Sequence, residues 1–422
     1  MIISRLFISG YKNLLDCDFR PQGIRAITGC NGSGKSNILE VLPFVAGLHY
    51  GSDEFRNNVL KHGACPNGTW FPISLNPDRI KPFEFTLECN FWIEDVQHFI
   101  EYSLKFESLG IIESPYHQVH GANISSETIK TKIVGASGAS KTVLTRNSNS
   151  EVTVFGGKSK RAKTEFKCKV DMCALQALEV READEFNLNF PALACFRSAL
   201  LSTELVRLNS ETFRNNLYAV YHKPLPEKIP GAIIDSYDPY PLLREIEKDQ
   251  TNWADFQRWL KQLVDVTSVV LFESKDDPTP DQASQIQKRQ YVFAEQHGRL
   301  LAHGELSMGG TVAIAFLTAL YTLLGKGGAA LFEEPENYLH PKAVVELVKL
   351  FREFGQKHTV IFSTHSPVAL NSMKPEEVSV MSAVGDGFVT MKNVSDIKEA
   401  MQALDRGFFS FGDLLQTDYA TK

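Results

Sequence analysis

Two adjacent carboxylates that follow an apolar run could hold a cation and activate a water molecule. The stretch ALFEEPENYLHP, residues 330–341, ends its apolar residues in Glu333 and Glu334, and Glu336 follows a proline. Neighbouring side chains at a strand end point to opposite sides, so one carboxylate can face a metal ion and the other an attacking water as its general base. The alternative is a solvated helix start, because proline and acidic residues also suit a first helical turn. We expect Glu336 to be a charge at the start of a helix.

A glycine-rich turn near the N-terminus, GCNGSGKS at residues 29–36, fits the phosphate-binding pattern G-x-x-x-x-G-K-[ST]. Glycines allow backbone N–H groups to turn inward around an anion, and a following helix directs its positive end at the phosphates. Lys35 can then reach the β- and γ-phosphates of ATP, and the Ser36 hydroxyl can ligate Mg²⁺. A chance turn is the alternative, but the apolar strand before it and the helical period after it favour nucleotide binding. The residues expected at the nucleotide are Asn31, Gly32, Ser33, Gly34, Lys35, Ser36 and Asn37.

Two further segments carry residues suited to the same phosphates. The stretch VIFSTHSP places His365 after an apolar strand, where a parallel sheet would deliver it to the same edge as the acids. We favour a contact with the γ-phosphate over a purely structural histidine. The stretch LSMGG contains Ser307, Gly309 and Gly310 before a long apolar helix, where they can bind an anion or simply cap the helix. One subunit has no need of two phosphate sites, whereas the two subunits of a C₂ dimer could each cover the other's ATP.

The elements that must position these residues alternate between strands and helices. Apolar runs predict strands, which lie at 2–9, 24–29, 329–333 and 358–363. Strict alternation from about 81 to 110 predicts antiparallel strands, and the Ser-, Gly- and Lys-rich segment 119–165 predicts a mobile hairpin insertion. Residues 204–222, 241–265 and 341–355 have helical patterns. The alternation predicts a mostly parallel sheet with helices on its faces.

The composition limits the class of protein. The 422 residues are 43% hydrophobic and 22% charged, which is typical of a globular protein with more than one domain or one large insertion. We find no run of about 18 apolar residues and no signal-peptide pattern, so we expect a cytoplasmic protein without membrane contact. The seven cysteines form no CxxC pair, which argues against a zinc site, and the net charge of −6 argues against a globally basic nucleic-acid surface.

The four motifs, in this order, resemble the ABC-type ATPase heads of the RecF/SMC group, and most closely the small bacterial AAA-like ATPases related to the OLD proteins. The resemblance is clear over residues 1–50 and 300–375. It implies that Lys35 and Ser36 bind phosphate and Mg²⁺. It further implies that Glu333 assists the metal, that Glu334 activates water and that His365 senses the γ-phosphate.

The same resemblance implies a fold and an assembly. The fold would be an α/β P-loop NTPase, an ABC-type head with a mixed sheet, an antiparallel β subdomain and an inserted helical region, without a long coiled coil. The expected domains are an N-terminal ATPase lobe with a β-rich insertion at 1–200, a helical insertion at 201–295 and a C-terminal ATPase lobe at 296–422. Heads would pair head to head, as a dimer or a higher even oligomer. Residues at the interface would be Ser307, Gly309, Gly310 and the D-loop residues Tyr338, Leu339 and His340.

Three positions depart from the pattern of the group. Glu333 stands where many relatives have Asp, so its carboxylate is expected to contact Mg²⁺ through a bound water molecule. The signature has Met308 and Gly310 where other heads have Gly and Gln or Glu. The Q-loop is expected within 70–90. We therefore expect slow hydrolysis, with ATP binding mattering more than turnover.

The resemblance implies an ATPase but does not identify its biological role. Our leading hypothesis is a sensor or scaffold subunit of a bacterial antiphage complex, similar to the ATPases of the two-gene systems PARIS and Septu. Its partner would be a separate effector, expected to be a nuclease, and its trigger DNA or a phage protein. The alternative is a RecF-like DNA-repair ATPase that binds duplex DNA through the basic segment 156–169, which is otherwise a solvated loop.

Overall fold

The computed structural model describes residues 1–50, 82–113, 118–156, 163–207, 239–274, 289–302, 305–325, 327–385 and 387–396, and the single residues 402, 410 and 412. The strands are β1 (Ile2–Ser9), β2 (Cys17–Phe19), β3 (Ile24–Thr28), β4 (Glu84–Ile93), β5 (Val96–Glu113), β6 (Gln118–Ile133), β7 (Lys141–Arg146), β8 (Glu151–Phe155), β9 (Lys163–Lys167), β10 (Glu204–Arg207), β11 (Val266–Ser274), β12 (Arg289–Gln296), β13 (Arg299–Ala302), β14 (Ala330–Glu333), β15 (Val360–Ser363), β16 (Val378–Gly385) and β17 (Phe388–Asn393). The α-helices are α1 (Lys35–Tyr50), α2 (Ala174–Glu182), α3 (Phe186–Asn189), α4 (Pro191–Leu201), α5 (Pro239–Glu247), α6 (Gln250–Val264), α7 (Met308–Gly325), α8 (Pro341–Gly355) and α9 (Pro367–Asn371).

A six-stranded mixed sheet holds the predicted nucleotide motifs. Its order is β10-β14-β15-β3-β16-β17, with parallel pairs up to β16 and one antiparallel pair at β17. The central strands β3 and β15 are buried along their whole length because both faces of the sheet are covered. In β3, for example, Ile27 packs into one hydrophobic core and Ala26 into the other. Helix α1 contributes to the first core, and helices α7 and α8 contribute to the second.

An eight-stranded antiparallel sheet lies over the first core. Its order is β2-β1-β4-β5-β6-β7-β8-β9. Strand β4 alternates buried and half-buried side chains, as expected for a sheet with one covered face. The segment predicted as a hairpin insertion, 119–165, supplies most of β6 and the whole of β7 and β8, and it extends this sheet. Residues 157–162 of that segment lie outside the described residues.

A smaller layer packs on the second core. Strands β11, β12 and β13 form an antiparallel sheet, and helices α5 and α6 pack beside α7. Helix α6 buries Phe256, Trp259, Leu260 and Leu263, the i, i+3, i+4, i+7 spacing of one helical face. The predicted helical segment 241–265 is thereby confirmed.

The predicted fold class is confirmed: a mixed sheet with helices, an antiparallel β subdomain and a helical region. The longest helix among the described residues has 18 residues, and none of the described helices is long and apolar enough to cross a membrane. The helix predicted over 204–222 is wrong at its start, and its residues 208–222 lie outside the described residues. Residues 204–207 form β10, because pairing with β14 outweighs the weak helical pattern there. The domain bounds stay a prediction.

Candidate nucleotide-binding and catalytic site

The glycine loop, the paired acids and His365 meet at the carboxyl edge of the mixed sheet. Parallel pairing places Arg207 beside Glu333, Glu333 beside Ser363, and Ser363 beside Ile27 at the ends of four adjacent strands. The glycine loop leaves β3 at this edge, Glu334 follows β14, and His365 follows β15. Ligands of open parallel sheets bind at this edge.

The glycine loop has the backbone that an anion cradle needs. Gly32 and Gly34 have φ angles of +76° and +85°, which a side chain would strain. A Cβ atom on Gly34 would also lie 2.9 Å from Cγ2 of Val389. Lys35 begins α1 and donates from Nζ to the carbonyls of Gly29 and Cys30, each at 2.9 Å. The loop is therefore already closed around the lysine ammonium.

Burial and neighbouring charges set the state of Lys35. Burial lowers the pKa of its ammonium, and the nearby charges of Glu334, Cys30 and Glu333 oppose that shift. The hydroxyl of Ser33 is buried and has no hydrogen-bond partner among the described residues. A phosphate oxygen would satisfy it, and a buried hydroxyl is costly to leave unpaired. The loop thus fits a nucleotide phosphate.

Two oxygen ligands suited to Mg²⁺ are in direct contact. The Ser36 hydroxyl donates to Oε1 of Glu333, although the two residues lie 297 positions apart in the chain. Hydroxyl and carboxylate oxygens are the donors that Mg²⁺ prefers. Asn37, one position further along α1, donates from Nδ2 to Oδ1 of Asn13 at 2.7 Å and braces the helix start. Ser36 and Glu333 therefore fit the metal of a nucleotide complex.

Sequence reasoning missed three charged residues beside this pair. Arg207 donates from Nε to Oε2 of Glu333 and from Nη2 to Oε1 of Glu40, the latter at 2.5 Å. Lys12 donates to the other oxygen of Glu40. The signal that could have found Glu40 is its place one helical turn after Ser36 on α1, which points both side chains the same way. Arg207 has no such local signal.

The second acid turns away from the first. Glu334 has a φ angle of +44°, an unusual value for a residue other than glycine. Its amide donates to Oγ and to the carbonyl of Ser363, both at 3.2 Å, and this anchors the turn. Its Oε1 lies 3.6 Å from Nε2 of His365, and its Oε2 accepts from Asn337 at 3.1 Å. Glu333 and Glu334 thus have different partners, as expected from their adjacency.

His365 sits close to the loop lysine. Burial and the charge of Lys35 lower the pKa of His365, and Glu334 opposes that shift. A lowered pKa favours the neutral imidazole near pH 7. A neutral ring can donate one hydrogen bond to an oxygen and accept another.

The expectation that Glu336 is a charge at a helix start is wrong. Residues 335–338 form a turn, and α8 begins only at Pro341 with His340 as its capping residue. Oε1 of Glu336 accepts from the Thr364 hydroxyl at 2.5 Å and from the His365 amide at 3.1 Å. Burial raises the pKa of Glu336. This carboxyl therefore ties the turn after β14 to the backbone of the histidine.

The signature segment caps α7. Oγ of Ser307 accepts from the Gly310 amide at 3.2 Å, and its carbonyl accepts from the Thr311 amide at 3.0 Å. A Cβ atom on Gly309 would lie 3.0 Å from the carbonyl oxygen of Tyr338, so the helix start packs closely on the 335–338 turn. Tyr338 itself is 52% exposed. The capping alternative is thus realised within one subunit, and a phosphate contact across a dimer stays a prediction.

The predicted Q-loop region is only partly visible. Residues 70–81 lie outside the described residues, and residues 84–90 belong to β4 of the antiparallel sheet.

A separate group of metal-ligating residue types lies buried in the first core. Ligand atoms of His49, Glu127 and Cys173 lie within 4.8 Å of one another. The Tyr102 hydroxyl is 2.8 Å from Nε2 of His49, and Glu127 accepts from the Ala174 and Leu175 amides at 2.5 and 3.2 Å. These hydrogen bonds use Nε2 of His49 and both carboxylate oxygens of Glu127, so we interpret the group as a polar network that caps α2.

Known proteins resemble the chain over part of its length. Residues 198–371 match the AAA_21 family, described as "AAA domain, putative AbiEii toxin, Type IV TA system". The OLD nuclease of Thermus scotoductus is 31% identical over 119 residues, which are 27% of this chain and 22% of that protein. The chain thus matches about a fifth of the length of this curated relative.

Two solved SMC heads are also similar. The SMC head bound to the C-winged helix domain of ScpA has a TM-score of 0.46 at 14% identity and covers 95% of this chain and 100% of that one. The SMC head domain from Thermotoga maritima has a TM-score of 0.41 at 11% identity and covers 93% and 99%. The family match and the OLD relative favour ATPase function. The resemblance of this chain to ABC-type ATPases of the OLD-like group, predicted from its motifs, is confirmed over the matched residues.

Proposed function

We propose that this protein binds and hydrolyses ATP with Mg²⁺ at the carboxyl edge of its mixed sheet. The observation that carries the proposal is the contact between Ser36 and Glu333, beside the 3.6 Å pair of Glu334 and His365. The loop amides and Lys35 would hold the phosphates, and Ser36 and Glu333 would hold the metal. When bound, Mg²⁺ neutralises charge on the phosphates.

Glu334 and His365 have different proposed roles. Glu334 is anchored by Ser363 and presents a carboxylate oxygen toward His365, so it can accept the proton of a water held between the two. His365 in its neutral form donates to a γ-phosphate oxygen and so reports whether that group is present. Asn37 and Asn31 are proposed to line the loop, where Asn31 is exposed.

Nucleotide binding is tested first, by replacing Lys35. Lys35→Ala should abolish binding of a fluorescent ATP analogue and release of phosphate from ATP. The matched control is Glu245→Gln, which removes a charge from an exposed pair with Lys248 far along the chain. If Lys35→Ala binds and hydrolyses ATP like the control, the glycine loop is not a nucleotide site.

We also propose that two heads close on each other around ATP. Ser307, Gly309 and Gly310 would then contact the other head's γ-phosphate, and the exposed Tyr338 turn would lie at the interface. The close packing of Gly309 on the Tyr338 carbonyl supports this, because it makes the signature and the turn one surface. ATP-dependent dimerisation in size-exclusion chromatography tests it, with Ser307→Arg expected to prevent the dimer. A dimer that forms equally without ATP would contradict the sandwich.

For the biological task we propose a sensor or scaffold subunit of an antiphage complex with a separate nuclease effector. Two comparisons support it: a relative named a nuclease, of which the chain matches about a fifth, and a family description that names a toxin–antitoxin system. Co-purification with the product of the neighbouring gene, followed by a nuclease assay with and without ATP, tests the proposal. A neighbour that never co-purifies and cuts no nucleic acid would overturn it.

The DNA-binding alternative has weaker support. In the described part of the basic segment, Lys163 pairs with Glu165 at 2.5 Å, so the charges of those two positions cancel. Binding to random duplex DNA that falls steeply with salt would nevertheless favour it.

A further inference from the structure

A guanidinium group engages the carboxylate oxygen of Glu333 that the Ser36 hydroxyl does not use. Arg207 ends the edge strand β10, and the register of the sheet sets it beside Glu333. Its Nε donates to Oε2 of Glu333, while the Ser36 hydroxyl uses Oε1. Both carboxylate oxygens of Glu333 are therefore engaged.

A second carboxylate holds the other side of the same guanidinium. Nη2 of Arg207 donates to Oε1 of Glu40 at 2.5 Å, and Lys12 donates to Oε2. The side chains of Glu40, Arg207 and Glu333 are 10%, 27% and 22% exposed, so water screens the charges only in part. Arg207 thus has two alternative anions within reach of one planar fork.

Binding of a Mg²⁺-nucleotide would bring a second positive charge close to the Arg207 guanidinium. A guanidinium and a divalent cation on one carboxylate would repel each other, and partial burial strengthens that repulsion. Glu40 offers Arg207 an anion that no predicted metal contact uses. The arginine can therefore leave Glu333 without becoming an unpaired buried charge, which would be costly.

We propose that Arg207 is a positioning residue that holds Glu333 in the nucleotide-free protein and must release it to Glu40 before Mg²⁺-nucleotide can bind. This inference rests on the proposed nucleotide function. Release would also free the end of β10 from Glu333, so metal loading would loosen the edge strand of the sheet. Arg207 thereby sets the Mg²⁺ concentration at which the site is half-saturated.

Metal affinity tests the proposal, with Mn²⁺ as the probe and a non-hydrolysable ATP analogue as the nucleotide. Free Mn²⁺ is followed by its paramagnetic resonance signal. Arg207→Gln should lower the Mn²⁺ concentration at half-saturation by about tenfold, as expected when a competing charge of this kind is removed. Glu40→Gln should raise it, because Arg207 then has only Glu333 as a partner. Arg207→Lys keeps the charge and should remain near the parental value.

A second readout does not need nucleotide. In the free protein, Arg207→Gln leaves Glu333 and Glu40 without their shared cation, so Mn²⁺ alone should raise the melting temperature more in this variant than in the parent. If all variants show the same Mn²⁺ dependence and still bind nucleotide, the proposed role of Arg207 is overturned, whereas the proposed nucleotide site is not. If Arg207→Gln binds nucleotide more weakly than the parent in the absence of metal, Arg207 is a phosphate ligand, and its proposed positioning role is overturned. Absence of nucleotide binding in the parental protein would instead overturn the proposed function and this inference with it.

Discussion

Oε1 of Glu334 and Nε2 of His365 lie 3.6 Å apart across the ends of two adjacent parallel strands. Ser363 fixes this relationship, because its hydroxyl and carbonyl both accept from the Glu334 amide. Burial, together with the positive charge of Lys35, lowers the pKa of the histidine. The carboxylate and the imidazole thus lie just after two adjacent strands, and the last residue of β15, Ser363, anchors the turn that carries the carboxylate.

Replacing Glu334 by Gln should separate binding from hydrolysis. The amide keeps the size of the side chain but cannot accept a proton, so we expect phosphate release to fall by about 10²- to 10⁴-fold. ATP affinity should be kept, since the loop and Lys35 are unchanged. Phosphate release and equilibrium nucleotide binding measure the two effects. Hydrolysis at the parental rate would remove Glu334 from the role of base.

Glu336 should act through the position of His365. Glu336→Ala removes the acceptor of the Thr364 hydroxyl and the His365 amide, which we expect to destabilise the fold by about 1–3 kcal/mol. It should also lower kcat more than it raises KM. Glu336→Gln keeps an acceptor oxygen and should restore most of kcat. If the Gln variant is as slow as the Ala variant, the charge of Glu336 matters rather than its hydrogen bonds.

Gly309 and Gly310 should differ in their tolerance of a methyl group. A Cβ atom on Gly309 would lie 3.0 Å from the Tyr338 carbonyl, whereas on Gly310 its nearest neighbour would be Oγ of Ser307 at 3.4 Å. Gly309→Ala should therefore lower the free energy of unfolding by about 1 kcal/mol relative to Gly310→Ala. Chemical denaturation without nucleotide measures this. Equal stabilities would show that the packing at Gly309 is unimportant in the free subunit.

Glu127 and His49 of the buried polar network should contribute to the pH dependence of stability in opposite directions. Burial raises the pKa of Glu127 to about 7, so its contribution to stability is present below its unfolded pKa and is lost as pH rises through about 7. Burial, with the charge of Arg197, lowers the pKa of His49 to about 3, so its contribution is present above its unfolded pKa and is lost as pH falls toward 3. In the parental protein the two slopes oppose each other between the unfolded pKa values of the two groups.

Single variants should expose each slope. Between pH 5 and 6.5, Glu127→Gln should gain up to about 2 kcal/mol of stability relative to the parent as pH rises, and His49→Gln should lose a similar amount. Urea denaturation at the two pH values measures both. Parallel pH profiles for the two variants would show that one or both groups are not buried in the folded protein.

Much of the site was predictable because its signals are local. The glycine spacing from Gly29 to Gly34 dictates a loop with positive φ angles, and an apolar run predicts the buried strand before Glu333 whatever surrounds it. Glu336 was misread because proline and acid residues suit both a first helical turn and a tight turn. Its true partner, Thr364, lies just after the neighbouring strand β15, and the local pattern does not reveal this contact.

The sequence by itself determined which residues can do the chemistry, since residue type and short-range spacing set the phosphate loop, the paired acids and the histidine. Only the tertiary structure decided which of these side chains are in contact with one another. Arg207 lies 126 positions before Glu333, in a segment whose pattern suggested a helix, and it reaches the acid only because β10 pairs in parallel with β14. The register of parallel strands depends on packing across both cores of the sheet, which no local pattern encodes.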